Sequence, residues 1–244
     1  MRIAVVSDIH GNLTALEAVV ADLRLTSPDL VLQGGDVAVL GARPAEVTDR
    51  VRDLGWPGVV GNTDAWHGSA ATRAGEEQLV STMPKLRAWL ATLFDVLLPW
   101  ATERLGEERL DWLGTRPPEL REGGIRLVHA SPGEPWRAPP PDAPDDELSA
   151  TYGEGRPGLA VYGHIHRPYV RQLPGGLVVA NAGAAGLPFD GDPRAAYLVV
   201  DDGVPTVRRV AYDTEREARA LAASGFPLAS WLAGVQRTAR YERP

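Results

Sequence analysis

Apolar runs and helical periods alternate along the first third of the chain. Residues 2–7 (RIAVVS) form an apolar, β-branched stretch, which predicts a buried strand. After Gly11, the residues Leu13, Leu16, Val20 and Leu23 recur at helical spacing, with Thr14 and Glu17 in capping-box spacing near the start. Residues 29–36 (DLVLQGGD) predict a second strand ending in a Gly-Gly-Asp turn. A second helix follows over 44–55, opened by Pro44 and stopped by Gly55, and 57–64 (PGVVGNTD) predicts a third short strand and turn. Such a βαβαβ run implies a parallel sheet with right-handed crossovers.

The pattern changes over residues 76–114. Leucine and tryptophan recur at helical intervals there, and Pro84 and Pro99 act as breaks, so two or three helices are expected. Beyond Gly123-Gly124 the chain returns to strands: IRLVHA, LAVYGH, YVRQL, LVVAN, AYLVVD and TVRRVAY. Residues 132–144 carry six prolines in thirteen positions, which predicts a loop. Residues 213–225 form a capped helix ended by Gly225, and a final short helix is expected around 229–238. The expected fold class is α/β: a four-layer αββα sandwich of two mixed sheets flanked by helices. One domain would span 1–244, with a helical cap-like segment at 76–114 and C-terminal helices at 213–238.

Composition narrows the chemistry. A net charge of −7 argues against a basic groove that holds nucleic acid stably. The absence of cysteine removes disulfides and thiolate ligands. The opening MRIAVVSDIHG lacks signal-peptide anatomy, and no run reaches the roughly 18 apolar residues of a membrane span, so a cytoplasmic protein without membrane contact is expected.

The chain has only five histidines, and two of them, His164 and His166, flank Ile165 just after an apolar run. Taken alone, His-x-His is weak evidence for a metal, and Asp36 or Asn62 alone is an ordinary turn residue. The other predicted strands end the same way. Asp8 and His10 follow the first, Asp36 the second, Asn62 the third, and His129 closes IRLVHA. Ligands bind at the carboxyl ends of strands in open α/β sheets, so these seven O and N donors converge by topology. Two carboxylates, four imidazoles and one amide suit Mn, Fe, Co, Ni or Zn better than Ca or Mg. Seven protein donors exceed what one catalytic ion with an open position takes. They suit two divalent ions about 3.5–4 Å apart, a spacing that clamps a phosphoryl group.

The ordered set DIH, GGD, GNTD, H and GHIH resembles the calcineurin-like metallophosphoesterase family over residues 5 to about 200. The short YfcE-type bacterial and archaeal phosphodiesterases are similar in length and in the opening SDIHGNLTALEAV. The resemblance implies that Asp8, His10, Asp36 and His166 hold one ion. Asp36, Asn62, His129 and His164 would hold the other, with Asp36 shared. It also implies attack by a metal-bridging hydroxide without a covalent enzyme intermediate.

Three departures bear on substrate. Many members carry His after the motif Asn, whereas Thr63 stands here and is a poor general acid at neutral pH. Small phosphodiesters or dinucleoside polyphosphates are therefore expected over alkyl monoesters. His67 is the histidine outside the blocks; it could supply the acid, or be a surface or helix-start residue. NAGAAG (181–186) replaces the family's usual Asn-Pro-Gly-Ser and would still pack beside the site with one hydroxyl fewer. Asn12 could bond a phosphate oxygen or cap the first helix; Arg167 and Arg137, the latter beside Trp136, could grip phosphate at the mouth. The competing functions are a phosphomonoesterase, including one for phosphoprotein, and a catalytically weak binding scaffold like the retromer Vps29 subunit. The helices of 76–114 could cap the cleft or form a homodimer face.

Overall fold

In the computed structural model, which describes residues 1–65, 79–82 and 84–242, the first strand is central. Strand β1 (Arg2–Val6) pairs in parallel with β2 (Leu30–Gln33) and antiparallel with β8 (Ala195–Asp201). β9 (Val204–Val210) pairs with β8 and completes a sheet of order β2-β1-β8-β9. The second sheet has the order β3-β4-β5-β7-β6. It comprises β3 (Glu119–Glu122), β4 (Ile125–Val128), β5 (Leu159–Tyr162), β6 (Tyr169–Gln172) and β7 (Val178–Asn181). β4, β5 and β7 are parallel, and the two edge strands are antiparallel.

Residue alternation explains why the sheets stack. Ile3 and Val5 of β1 pack against Leu127 and Val161 of the second sheet, while Ala4 and Val6 face the opposite side. That opposite side is covered by α1 (Leu13–Thr26) and α2 (Pro44–Asp53) through Leu16, Val19, Val47 and Val51. On the far side of the second sheet, Ala160 and Tyr162 pack against Leu148 and Tyr152 of the helix Asp145–Tyr152. The layers are thus helix, sheet, sheet, helix, as the pattern implied.

A third helical group stands over one end of the sandwich. A 3₁₀ turn (Pro84–Leu86) leads into α3 (Arg87–Thr92), a π-helical turn (Leu93–Leu97) and α4 (Leu98–Gly114). With the helix Asp145–Tyr152 as α5, the chain ends in α6 (Thr214–Ser224) and α7 (Ala229–Thr238). Leu90, Leu93 and Leu97 share one cluster with Leu221, Phe226 and Leu232, so the middle and C-terminal helices form one apolar body. No described helix is long and apolar enough to cross a membrane.

Three expectations need correction. The helix α1 is capped by Asn12, whose side chain accepts from the Ala15 amide at 2.9 Å. Thr14 and Glu17 lie inside that helix, and Thr14 bonds Glu217 instead of forming a capping box. Residues 57–64 make one bridge, Gln33 to Gly58, rather than a strand, because Pro57 has no N–H and Val60 donates to Pro117. Pro99 does not break a helix; it sits in the first turn of α4, where its missing N–H costs nothing. The strand β3 and the helix α5 were not foreseen. Acidic residues at 145–147 after Pro144 are the helix-start signal that marked α5.

A buried ion pair ties α1, α2 and α6 together. Glu217 is fully buried and accepts from Arg43 and from Thr14 Oγ1. Arg43→Ala should lower unfolding stability by about 3 kcal/mol, measured by urea denaturation, since it strands a buried carboxylate. A loss below about 1 kcal/mol would show that Glu217 is neutral or rehydrated.

Candidate metal centre

Six of the candidate ligands sit one to four residues beyond the carboxyl end of a strand, Asn62 follows the Gly58 bridge, and the loops that carry them are stitched together. Asp8 N donates to Gly35 O at 3.1 Å, and His10 N to Asp36 O at 3.1 Å. Gly186 N donates to Asp8 O at 3.0 Å, and the His164 amide donates to the Asp8 carboxylate at 3.1 Å. The backbone at Asp8, His10, Asp36, His164 and His166 is left-handed, with φ between 49° and 64°. Non-glycine residues take that conformation at a cost, and it concentrates at functional sites. Two glycines permit the close approach. A Cβ on Gly35 would lie 2.5 Å from His129 Nδ1, and one on Gly61 2.2 Å from Asp36 Oδ1.

The imidazoles are fixed by their outer nitrogens. Nδ1 of His10 donates to Val39 O at 2.6 Å, of His129 to Gly34 O at 2.8 Å, and of His166 to Leu187 O at 2.6 Å. His164 is reversed: its Nε2 donates to Trp136 O at 3.1 Å. A ring that donates through one nitrogen presents a lone pair at the other. In the neutral rings the inner nitrogens therefore offer lone pairs. His10 Nε2 and His166 Nε2 stand 3.2 Å apart, and Asn62 Oδ1 lies 2.8 Å from His129 Nε2 and 2.9 Å from His164 Nδ1. Acceptor facing acceptor at such distances, in a buried place, is the arrangement that a cation relieves.

The carboxylates complete two overlapping groups: Asp8, His10 and His166, and Asp8, Asp36 and His129. Asp36 Oδ1 accepts from both the amide and the hydroxyl of Thr63 at 2.9 Å. Its Oδ2 is left 3.6 Å from His10 Nε2 and 3.6 Å from His129 Nε2. Burial would raise the Asp8 carboxyl, but His166, His129 and His10 carry it well below the usual carboxylate range. Burial pushes His10 down and pushes His164 down to about 4, the latter helped by His129. Burial also opposes charge on His129, yet Asp36 and Asp8 outweigh it and raise that ring.

One contributor escaped the sequence reading. Asp64 is fully buried and accepts from the amides of Val37 and Gly61, at 3.0 Å and 3.3 Å, so it ties the Asp36 loop to the Asn62 loop. Burial and the neighbouring Asp36 push its carboxyl up to about 7. Its signal was its place as the last residue of GNTD. Asn12 is fully buried; its amide bonds Gly186 O at 3.0 Å and its oxygen caps α1, so it does not face substrate. Arg137 is exposed, reaches Thr82 O at 3.2 Å and does not line the cleft, whereas Arg167 does. NAGAAG packs beside the site as expected, with Ala185 N on Ser7 O at 2.9 Å. His67 lies outside the described residues.

A sequence profile of the calcineurin-like phosphoesterase superfamily domain matches residues 1–203. The chain belongs to that superfamily. As a member it is a metal-dependent hydrolase of phosphoric esters. It is 31% identical over 252 residues to an uncharacterized protein of Methanocaldococcus jannaschii, MJ0912, covering 94% of this chain and 95% of that one. It is also similar to a metallophosphoesterase from Sphaerobacter thermophilus, at 26% identity and a TM-score of 0.77 over 98% of this chain and 100% of that one. A hypothetical protein from Pyrococcus horikoshii OT3, PH1004, shares the fold at 19% identity and a TM-score of 0.80, covering 99% of each chain. The fold shared with these two structures thus extends past residue 203, into the C-terminal helices.

Two outcomes test the centre. Gly61→Ala should weaken transition-metal affinity about 10- to 100-fold by displacing Asp36, with the circular dichroism spectrum kept; unchanged affinity would separate Asp36 from the ion. Metal needs unprotonated imidazoles, and His129 is the ring whose pKa is raised. Apparent affinity should therefore rise with pH through the neutral range. Calorimetry of Mn²⁺ binding at pH 6.5 in buffers of different ionisation enthalpy should register proton release.

Proposed function

We propose that this chain is a dinuclear metal-dependent phosphodiesterase acting on small phosphodiesters. The observation that carries this is the shared geometry of Asp36, whose free oxygen stands equally far, 3.6 Å, from His10 and His129. Asp8, His10 and His166 would hold one divalent transition-metal ion; Asn62, His129 and His164 would hold the second, with Asp36 between them. When bound, such a pair neutralises phosphoryl charge and makes water acidic enough to attack at neutral pH. The chain's own residues fix the lone pairs and keep Asp36 in register through Thr63.

Thr63 argues for the leaving group. Its hydroxyl is committed to Asp36 at 2.9 Å, so it serves positioning rather than proton delivery. A diester with a good leaving group departs without that proton. Arg167 is the one arginine or lysine among the described residues lining the cleft, which suits a phosphodiester monoanion better than a monoester dianion. The scaffold reading loses ground because all seven donors are present and oriented.

Metal-stripped protein should hydrolyse bis-p-nitrophenyl phosphate after Mn²⁺, Ni²⁺, Mg²⁺ or Zn²⁺ is restored, and faster than p-nitrophenyl phosphate. Asp36→Asn should lower kcat/KM by about 100-fold or more. A monoester preference would favour the phosphomonoesterase instead. Two bound ions with no turnover of either compound would favour the scaffold.

A further inference from the structure

The floor of the cleft is polar, but its wall is not. Phe189 stacks on His166, with ring centroids 4.3 Å apart and planes at 19°. Tyr241 follows at 5.3 Å from Phe189, and Trp89 at 6.2 Å from Tyr241. Trp231 closes the series, 5.4 Å from Trp89 and 6.4 Å from Tyr241. These rings are half-buried and, with Leu90 and Leu93, line the same cleft of about 440 Å³ as His10, Asp36 and His166. The C-terminal tail is held in this wall, since Trp231 Nε1 donates to Glu242 O at 2.6 Å and Gly191 N to Ala239 O at 2.9 Å.

Half-buried aromatic rings facing a cleft beside reactive groups are a binding surface for an apolar group. We propose that the cleft selects phosphodiesters carrying one apolar, ring-sized arm, which lies along the Phe189–Tyr241–Trp231–Trp89 wall while the phosphate sits at the floor. This rests on the phosphodiesterase reading above. The charge pattern supports it. Among the described lining residues, Arg167 is the one arginine or lysine and Asp36 the one carboxylate. A dinucleoside polyphosphate brings about four negative charges and would call for a row of cations. A diester brings one. Of the wall's few polar groups, Trp231 Nε1 is already committed to Glu242 O, so a polar base edge would find few partners along it.

The test holds the leaving group constant. Methyl, cyclohexyl and phenyl p-nitrophenyl phosphates, and the thymidine 5′ analogue, are compared with the Mn²⁺-loaded enzyme, each rate divided by its rate with hydroxide. The cyclohexyl and phenyl arms should raise kcat/KM about ten-fold or more over methyl. Trp231→Ala should shrink that ratio. Equal rates for methyl and ring arms, or a preference for the thymidine arm over phenyl, would overturn the inference while leaving the phosphodiesterase intact. A separate arm needs no turnover. Calorimetry with phenylphosphonate and methylphosphonate on the Mn²⁺-loaded protein should show the phenyl compound binding about ten-fold tighter. Equal affinity would overturn the inference even if no diester is cleaved, whereas tighter phenyl binding without turnover would sustain the wall and fail only the reaction.

Discussion

Lone pairs that face one another without a proton between them are the constraint to which this fold answers. Four imidazoles, an amide oxygen and two carboxylates converge in a space that is nearly closed to water. Unrelieved, that convergence is repulsive, and burying it removes the solvent that would screen it. The chain adds a second cost by holding five of the ligands in left-handed backbone, at about 1–3 kcal/mol each. A cation offsets both, so metal binding and stability of the strand-end loops are linked. The rest of the structure keeps the donors from escaping. Carbonyls of Val39, Gly34, Leu187 and Trp136 take the outer N–H of each ring, and none of those rings can turn without losing a buried hydrogen bond.

Asp8 shows how the two sheets are joined at this point. It follows β1 of the first sheet, yet its carboxylate accepts the amide of His164 from the second. Its carbonyl accepts from Gly186, in the loop after β7. The sandwich is therefore closed at its functional end by hydrogen bonds and at its centre by Ile3, Val5, Leu127 and Val161. Packing sets the distance between sheets, and that distance sets whether Asp36 can lie between His10 and His129.

The candidate ligands could be picked out because each sits in a short block beside an apolar run, and both signals are local. The layer order followed from periodicity for the same reason. What stayed hidden depends on contacts distant in sequence. The Asn12 cap on α1 was among the roles its position suggested, but its bond to Gly186, 174 positions away, was not. Asp64 resembled a turn residue because the amides it holds belong partly to a loop 27 positions away. The aromatic wall comes from α3, the loop after β7, α7 and the tail, and no periodicity joins residues 89, 189, 231 and 241. Thr63 was legible only as a missing acid; its bonds to Asp36 give it a positive task.

That division has a consequence for how such a site can vary. The floor is built from strand ends tied to two sheets, where a shift of about 1 Å disturbs every donor. The wall is built from helices and a tail that meet the sandwich through their own apolar cluster around Leu90, Leu97 and Leu232. A ring in the wall can change size without moving Asp36, because among the described ring contacts of the wall it is Phe189 that stacks on a candidate ligand, His166. Phe189 is thus the joint between the two halves. Substitution there acts on His166 as well as on the cleft, while substitution at Trp89 or Trp231 acts on the cleft, the helical cluster and the tail. Substrate choice in this chain can therefore change through the helices at a far smaller cost to the reaction than through the strands.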